Sequence, residues 1–261
     1  MKKDMKIGFI GMGNMAFAIL SGVLKSGFIK PSDVSAFDVN RERLDGISLK
    51  TGICAVSSAE DLCLSSDLVI MAVKPKIVPA VVDEINDLIS DKPLLSIAYN
   101  IGYDNYKNDL GLKARVQYII PNIPCMSLEG MTLFEDKTDF RPEELDFVKA
   151  MFSSVGETEV FPYSLMNKAG GLTSCGPAFA AMVAESLADA VVLNGIPYQQ
   201  AFRLAAQLLK GTGAVLQETG IHPAQLKDNV CSPGGYTIKG VKSLEEDGLR
   251  AAIIHAVEKT I

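Results

Sequence analysis

The chain contains no tryptophan, two histidines and five cysteines in 261 residues. His222 and His255 are far apart in the sequence, and the cysteines form no pair with CxxC spacing. Zinc sites and disulfide-stabilised domains depend on closely spaced ligands or paired cysteines. We therefore expect no metal centre and no disulfide framework.

The sequence also lacks any cluster of lysine or arginine, and its net charge is -6. Nucleic acids and anionic membranes attract basic patches, so neither is expected as a partner. The start of the chain lacks the apolar run of a signal peptide. The most apolar helical run, residues 177–194, is predicted to be too short to span a bilayer and carries Glu185 and Asp189. These features predict a cytoplasmic protein without a membrane segment.

The hydrophobic content, 48% of the chain, is sufficient for one or two sizeable cores, and no low-complexity tract is present. Residues 6–10 predict a short buried strand that leads into Gly11-Met12-Gly13-Asn14-Met15-Ala16, a GxGxxA pattern. In this pattern the first glycine makes the tight turn, the second admits a pyrophosphate, and the small alanine lets the helix pack on the strand. The context predicts a dinucleotide site that includes Gly11, Gly13, Asn14 and Met15.

The residues after the second predicted strand, 34–37, give conflicting indications about the nucleotide. Asp38 is near the spacing expected for an acid that accepts hydrogen bonds from the adenosine ribose of NADH. Asn40 and Arg41 could instead bind the additional phosphate of NADPH. We expect NADH to be preferred because of Asp38, with NADPH accepted less well. The alternative is that Asp38 is a solvated turn residue and Arg41 starts the next helix.

Apolar strands alternate with amphipathic segments through the first part of the chain. Such alternation predicts a mostly parallel sheet with helices on both faces. From about residue 164 onward the strand signals stop and long helical runs follow. We predict an α/β Rossmann-type domain over residues 1–162 and an all-helical domain over residues 163–261. The further strands are expected at 53–56, 67–73, 93–98, 116–120, 132–134 and 158–161, and the helices at 177–194, 197–219, 235–247 and from Leu249.

The predicted helix 177–194 is apolar on nearly every face. A domain of about 100 residues can hardly bury such a helix alone. A second subunit would cover it in an interwoven homodimer. The alternative is a central helix surrounded by its own neighbours.

Residues 230–237 form a second turn rich in small residues before a predicted helix. Ser232, Pro233, Gly234 and Gly235 would bring bare amides to the start of that helix. A helix start carries unpaired N–H groups and partial positive charge, so this turn could hold a small carboxylate. The alternative is that Ser232 only caps a helix whose first turn holds Pro233.

With these motifs in view, the chain resembles the pyrroline-5-carboxylate reductases over essentially its full length. The motifs that carry the resemblance are residues 7–15, 72–75, 121–124, 176–179 and 226–244. The resemblance implies NAD(P)H-dependent reduction of the cyclic imine 1-pyrroline-5-carboxylate to L-proline. It also implies an active site that uses both a Rossmann domain and a helical dimerisation domain, in a homodimer or a larger assembly of dimers.

The same resemblance assigns roles to individual residues. The substrate carboxylate would bind to the turn formed by residues 232–237, with help from the Ser232 hydroxyl. Thr237 would face the ring nitrogen, where it could orient the imine and relay a proton. Lys74 would act beside the nicotinamide, although it could instead be a cation bonded to local carbonyls. The remaining cofactor contacts implied at the strand ends are Val73, Pro75, Asn122 and Pro124.

Three departures from the family pattern stand out. Tyr99-Asn100 replaces a small Ala-Gly pair, Cys175 stands where serine is common, and Cys231 stands where threonine or serine is common.

Two other functions remain as alternatives to the reduction of 1-pyrroline-5-carboxylate. One is a reductase of another cyclic imine acid. The other is a non-enzymatic nucleotide-binding paralogue, which only Tyr99-Asn100 favours. A third alternative is a hydroxy-acid dehydrogenase with a helical second domain. Such an enzyme would need a catalytic lysine or histidine on that domain, and Lys168 is the only candidate near its start.

Overall fold

The structure is a computed structural model that describes residues 5–261. Over these residues the strands form one sheet. In chain order they are β1 (Ile7–Ile10), β2 (Val34–Phe37), β3 (Cys54–Ala55), β4 (Leu68–Met71), β5 (Pro93–Ser96), β6 (Arg115–Ile120), β7 (Gly130–Thr138) and β8 (Gly156–Phe161).

The sheet has the order β3-β2-β1-β4-β5-β6-β7-β8. The strands from β3 to β6 are parallel, whereas β7 runs antiparallel to β6 and β8 runs parallel to β7. All four residues of β4 are buried, which agrees with an apolar sequence without alternation and is typical of a central parallel strand. The mostly parallel sheet is therefore confirmed.

Helices cover both faces of this sheet and continue alone in the second part of the chain. One apolar core includes Leu20, Leu44 and Phe152, and the other includes Leu62 and Val82. The Rossmann-type arrangement followed by helices is confirmed. The helices are α1 (Asn14–Lys25), α2 (Arg41–Thr51), α3 (Ala59–Ser65), α4 (Val78–Ile85), α5 (Pro142–Ser153), α6 (Tyr163–Val192), α7 (Tyr198–Thr219), α8 (Pro223–Val230), α9 (Tyr236–Glu246) and α10 (Leu249–Glu258).

The chain separates into two compact units, the first ending at Ser174 and the second spanning Cys175–Ile261. The division falls inside α6. The domain boundary expected between residues 162 and 163 coincides with the start of that helix, and it stays a prediction.

The prediction that the long apolar helix begins at Pro177 is wrong. The helix begins at Tyr163 and contains 30 residues, with Pro177 inside it. Proline is common in the first turn of a helix, which is why the sequence suggested a start there.

By length and composition α6 could cross a membrane, although the core helix of a soluble protein passes the same test. In its most apolar window, 6% of the residues are buried. The expectation that this helix is too short to span is therefore also wrong.

The helix α8 was not predicted at all. It is short, and its start carries His222, whose Nδ1 accepts a hydrogen bond from the Ala224 N–H at 3.2 Å. Its eight residues include only two larger apolar side chains, Leu226 and Val230, so the sequence pattern did not separate it from a loop.

Candidate active site

The carboxyl ends of β1, β4, β5 and β6 lie at one edge of the sheet because these strands are parallel. The strand order reverses between β1 and β4, since β2 and β3 lie on one side of β1 and β4 to β6 on the other. Open α/β sheets bind ligands in the crevice at this reversal. The loops after these strands therefore form the candidate nucleotide site.

The glycine-rich loop after β1 has the geometry that a dinucleotide requires. Gly11 has a φ of +93°, and a Cβ there would lie 2.8 Å from the Ala72 carbonyl oxygen, so only glycine fits. Gly13 precedes α1 without a side-chain cap, and a Cβ on it would meet no atom within 4 Å. The first N–H groups of α1 thus face open space and can hold a pyrophosphate.

Asp38 ties this loop to the end of β2. Its Oδ2 accepts a hydrogen bond from the Met12 N–H at 2.6 Å, and its Oδ1 accepts one from the Asn40 N–H at 2.8 Å. A carboxylate has about four lone-pair sites, so two bonds leave capacity for ribose hydroxyls. The structure thus adds a loop-fixing role to the predicted ribose-binding role.

The basic residues of the first turn of α2 lie close to the same loop. Arg41 begins α2, donates to the Val56 carbonyl and lies 3.8 Å from Asp45. Arg43, which the sequence reasoning missed, donates from Nη2 to the Asn14 Oδ1 at 2.9 Å. Its position two residues after Arg41, in the same predicted helix start, could have identified it in the sequence. The Asn40 Oδ1 accepts the Arg43 N–H at 3.0 Å and caps α2.

Arg43 and Asn40 also line an open cleft beside α2. The cleft has a volume of about 530 Å³ and includes Phe17 and Lys50. Two cationic side chains and an amide in one cleft provide hydrogen-bond donors that suit a phosphate, although the Glu42 carboxylate also lines the cleft and lowers its positive potential.

The residues after β4 are placed at the carboxyl edge, as expected. Val73 is half-buried, while Lys74 and Pro75 are exposed. The Lys74 Nζ makes no hydrogen bond or ion pair with any residue in the range 5–261. Lys92, by contrast, bonds the Cys63 and Ser66 carbonyls. The structure therefore does not support the alternative that Lys74 is bonded to local carbonyls.

Asn122 follows β6 and is almost fully buried, with 8% of its surface exposed. Its Nδ2 donates to the Thr173 carbonyl at 3.0 Å, and its Oδ1 accepts the Met131 N–H at 2.9 Å. The amide therefore holds the loop after β6 in place. Pro124 lies half-buried in the next turn. Cofactor contacts by these two residues stay a prediction.

Tyr99 and Asn100 follow β5 at the same edge. Asn100 has a φ of +63°, a left-handed conformation that asparagine tolerates better than most residues. Its N–H donates to the Tyr118 hydroxyl at 3.0 Å, and its Oδ1 accepts the Asn167 Nδ2 at 2.6 Å and the Tyr163 hydroxyl at 3.3 Å. Burial raises the pKa of Tyr118 far above its ordinary value, so its phenol stays neutral. The side chain of Asn100 is thus accommodated.

The second anion-binding candidate lies in the second unit. Gly234 has a φ of +69° and open space around it, and the Gly235 N–H donates to the Ser232 carbonyl at 3.0 Å. A Cβ on Gly235 would lie 2.4 Å from the Ser232 Oγ. Gly235 is the residue before α9 and provides no side-chain cap. The first N–H groups of α9 are therefore available for a carboxylate.

The alternative for this turn, a Ser232 cap with Pro233 in the first helical turn, is wrong. The helix begins at Tyr236, three residues beyond Pro233. The turn bond between Ser232 and Gly235 keeps Pro233 and Gly234 outside the helix. Both are exposed.

Thr237 is the second residue of α9 and is exposed. Its hydroxyl makes no hydrogen bond within the described part of the chain, so it can serve a ligand. It also borders a cavity of about 750 Å³ within the second unit. The apolar walls of this cavity include Leu208, Val215, Leu216, Leu226 and Val241.

Comparison with known proteins gives a consistent result. Residues 163–261 match the family described as pyrroline-5-carboxylate reductase dimerisation. Residues 6–100 match the family described as NADP oxidoreductase coenzyme F420-dependent. The first match begins at the first residue of α6.

Individual relatives agree with these matches. The pyrroline-5-carboxylate reductase of Escherichia coli is 38% identical, over 98% of this chain and 96% of the relative. The enzyme of the same name from Methanosarcina acetivorans is 38% identical, over 98% of this chain and 95% of the relative. A crystal structure of Plasmodium falciparum pyrroline carboxylate reductase with NADP bound superposes with a TM-score of 0.88 at 28% identity, covering 99% of this chain and 96% of that one. On this sequence similarity over nearly its whole length, the chain belongs to the pyrroline-5-carboxylate reductase family.

Proposed function

We propose that this protein reduces 1-pyrroline-5-carboxylate to L-proline with a nicotinamide cofactor, as the last step of proline biosynthesis. One observation carries the proposal. Two helices, α1 and α9, begin behind glycines with no side-chain cap and leave their first N–H groups open. The first suits the pyrophosphate of a dinucleotide, and the second suits the carboxylate of a small substrate.

The substrate carboxylate is held by the second unit. The N–H groups of Tyr236 and Thr237 lie in the first turn of α9, where intrahelical acceptors are absent. The Ser232 hydroxyl lies beside this turn, close to Gly235. Pro233 and Gly234 shape the turn without adding bulk over the amides. A singly charged carboxylate matches this set of neutral donors and the positive end of the helix dipole.

Reduction of the imine depends more on the relative placement of the nicotinamide and the imine than on a strongly acidic side chain. The nicotinamide cofactor, when bound, supplies a hydride to the imine carbon. Thr237 Oγ1 donates a hydrogen bond to the imine nitrogen, orients the ring and relays a proton there. Lys74, free of other partners in the described chain, adds positive charge beside the cofactor. Val73 and Pro75 provide the apolar surface next to it.

For the cofactor, we propose a preference for NADH over NADPH. Asp38 stands at the end of β2 with lone pairs left for ribose hydroxyls, and its charge disfavours an additional phosphate. Asn40, Arg41 and Arg43 form the competing phosphate site. Arg41 is already bonded to the Val56 carbonyl and close to Asp45, which reduces its availability.

We also propose that the protein is a cytoplasmic homodimer or a larger assembly of dimers. Along α6, Met182 is 66% exposed and Leu187 is 39% exposed. In the second unit, buried apolar residues of α6 are few, Ala188 among them. This residue distribution favours a partner subunit over the alternative of a helix surrounded by its own neighbours. The family matched by residues 163–261 is described as a dimerisation family.

The main alternative is a reductase that prefers another cyclic imine acid, because the anion-binding turn recognises a carboxylate but does not measure ring size. The non-enzymatic alternative depended on Tyr99-Asn100. The hydrogen-bonded left-handed conformation of Asn100 accommodates the side chain of that residue, which weakens the argument from this pair.

The decisive experiment measures NADH and NADPH oxidation by the purified protein with a panel of cyclic imines. We expect the highest kcat/KM with 1-pyrroline-5-carboxylate, formation of L-proline, and little activity with 1-pyrroline, which lacks the carboxylate. Equal activity on imines with and without a carboxylate would contradict the role of the 232–237 turn. Absence of turnover with every imine would contradict the enzymatic proposal.

A further inference from the structure

Tyr99 lies at the end of the nucleotide crevice opposite to Asp38. Asp38 follows β2, so the adenosine half of a dinucleotide is expected on that side of the strand-order reversal. The other half of the dinucleotide must then extend over the ends of β4 and β5. Tyr99 is the third residue after β5, in the loop at this end.

One edge of the Tyr99 ring lies next to α6. A Cβ on Gly170 would lie 3.7 Å from the Tyr99 Cε2 and 3.0 Å from the Ile120 Cδ1. The edge of the Tyr99 ring thus lies beside α6 at Gly170, next to the Ile120 side chain at the end of β6. Tyr99 is nevertheless 43% exposed, so part of the ring remains available to a ligand at the sheet edge.

The backbone that carries this ring is fixed by side chains from three other elements. Tyr118 on β6 accepts the Asn100 N–H, and Asn167 and Tyr163 on α6 donate to Asn100. The Glu135 Oε2 on β7 accepts the Tyr103 N–H at 2.8 Å. The backbone of this loop is therefore fixed from the side of the fold, so a shift of the loop cannot carry the ring aside at low cost.

We propose that Tyr99 is a specificity-determining residue whose ring limits the size of the imine that reaches the nicotinamide, and that Asn100 positions it. The inference rests on the proposed reductase function. A rigid aromatic wall accepts the five-membered ring of 1-pyrroline-5-carboxylate and disfavours the six-membered cyclic imine carboxylate, which is larger by one methylene group. Discrimination of one methylene by a packed apolar wall amounts to roughly 10- to 200-fold in kcat/KM.

The test compares kcat/KM for the five-membered and six-membered imine carboxylates in the unmodified protein, Tyr99→Ala and Tyr99→Phe. For Tyr99→Ala we expect the ratio to move toward the six-membered substrate by about tenfold or more. Tyr99→Phe keeps the ring and should keep the ratio. The ratio is independent of the fraction of folded enzyme, so partial unfolding of a variant cannot imitate the result.

Asn100→Gly provides a second, independent variant. Glycine adopts the same positive φ without strain, but the side-chain bonds from Asn167 and Tyr163 to the Asn100 Oδ1 are lost, while the backbone carbonyl can still accept the Tyr163 hydroxyl. We expect a smaller shift of the ratio in the same direction, with the Tyr99 ring still present. An unchanged ratio in Tyr99→Ala would overturn the proposal. If the unmodified protein reduced no cyclic imine at all, the proposed function itself would fail. That result differs from an active protein whose substrate ratio does not change in Tyr99→Ala.

Discussion

The Asn122 side chain supplies the hydrogen bond that Pro177 removes from α6. Residue i of a helix normally donates to the carbonyl of residue i−4, so residue 177 would bond Thr173, but proline has no N–H. The Asn122 Nδ2 donates to the Thr173 carbonyl at 3.0 Å instead. This contact explains how a proline is tolerated inside a 30-residue helix.

Asn122→Ala should destabilise the protein by about 2 to 4 kcal/mol, because it leaves the Thr173 carbonyl and the Met131 N–H without their partner. Urea denaturation followed by circular dichroism measures this loss. Asn108→Ala is the matched control, since Asn108 is exposed and bonds only Asp104; its effect should stay within about 0.5 kcal/mol. Equal effects of the two substitutions would show that the contact is unimportant.

Gly234→Val should raise the KM for the imine carboxylate strongly while leaving NADH binding intact. The new side chain enters the open space over the amides, and a β-branched residue is strained at a φ of +69°. Steady-state kinetics and cofactor fluorescence titration separate the two effects. Gly240→Ala is the control within α9, where a Cβ meets no atom within 4 Å. Unchanged substrate kinetics in Gly234→Val would remove the turn from the substrate site.

Thr237→Ala should lower kcat rather than cofactor affinity. The hydroxyl is free of other partners in the described chain, so its loss affects only a ligand contact, which is worth about 1 to 3 kcal/mol in the transition state. Thr237→Ser retains the hydroxyl and should recover most of the rate. If Thr237→Ala changed the cofactor Kd alone, the assignment of this residue to the imine nitrogen would be wrong.

Asp38→Ala should reduce the ratio of kcat/KM with NADH to kcat/KM with NADPH, because the carboxylate accepts ribose hydroxyls and repels phosphate. It should also lower stability, since Met12 and Asn40 lose their acceptor, so the ratio is the informative quantity. Arg43→Ala is the reciprocal variant and should weaken NADPH more than NADH. A strong NADPH preference in the unmodified protein that Arg41→Ala abolishes would contradict the expected role of Asp38.

Met182→Glu should dissociate the subunits without unfolding the single chain, because this side chain is 66% exposed in the isolated chain. A carboxylate at an apolar subunit interface lacks a partner and is costly to bury. Sedimentation velocity measures the assembly state, and circular dichroism checks that the helices remain. A monomeric unmodified protein would refute the dimer, whereas unchanged sedimentation of Met182→Glu would remove Met182 from the subunit interface.

The sequence by itself determined the parts of this protein that depend on local rules. Neighbouring residues in the chain define backbone geometry and apolar patterns. These local features predict the Gly11-Met12-Gly13 loop, the fully buried strand β4 and the start of a helix after Gly235. The assignment of Thr237 and Ser232 to a substrate rests on their place in the same motif, and it remains a prediction.

Tertiary structure decided what local patterns leave open. Proline at position 177 suggested a helix start, and only the distant Asn122 makes a continuous α6 possible. Tyr99-Asn100 departs from the family pattern, and only Tyr118 and Asn167 show how the left-handed conformation of Asn100 is held. In each case the partner is at least 18 residues away in the chain. A hydrogen bond of this kind depends on how strands and helices pack, which periodicity along the sequence does not encode.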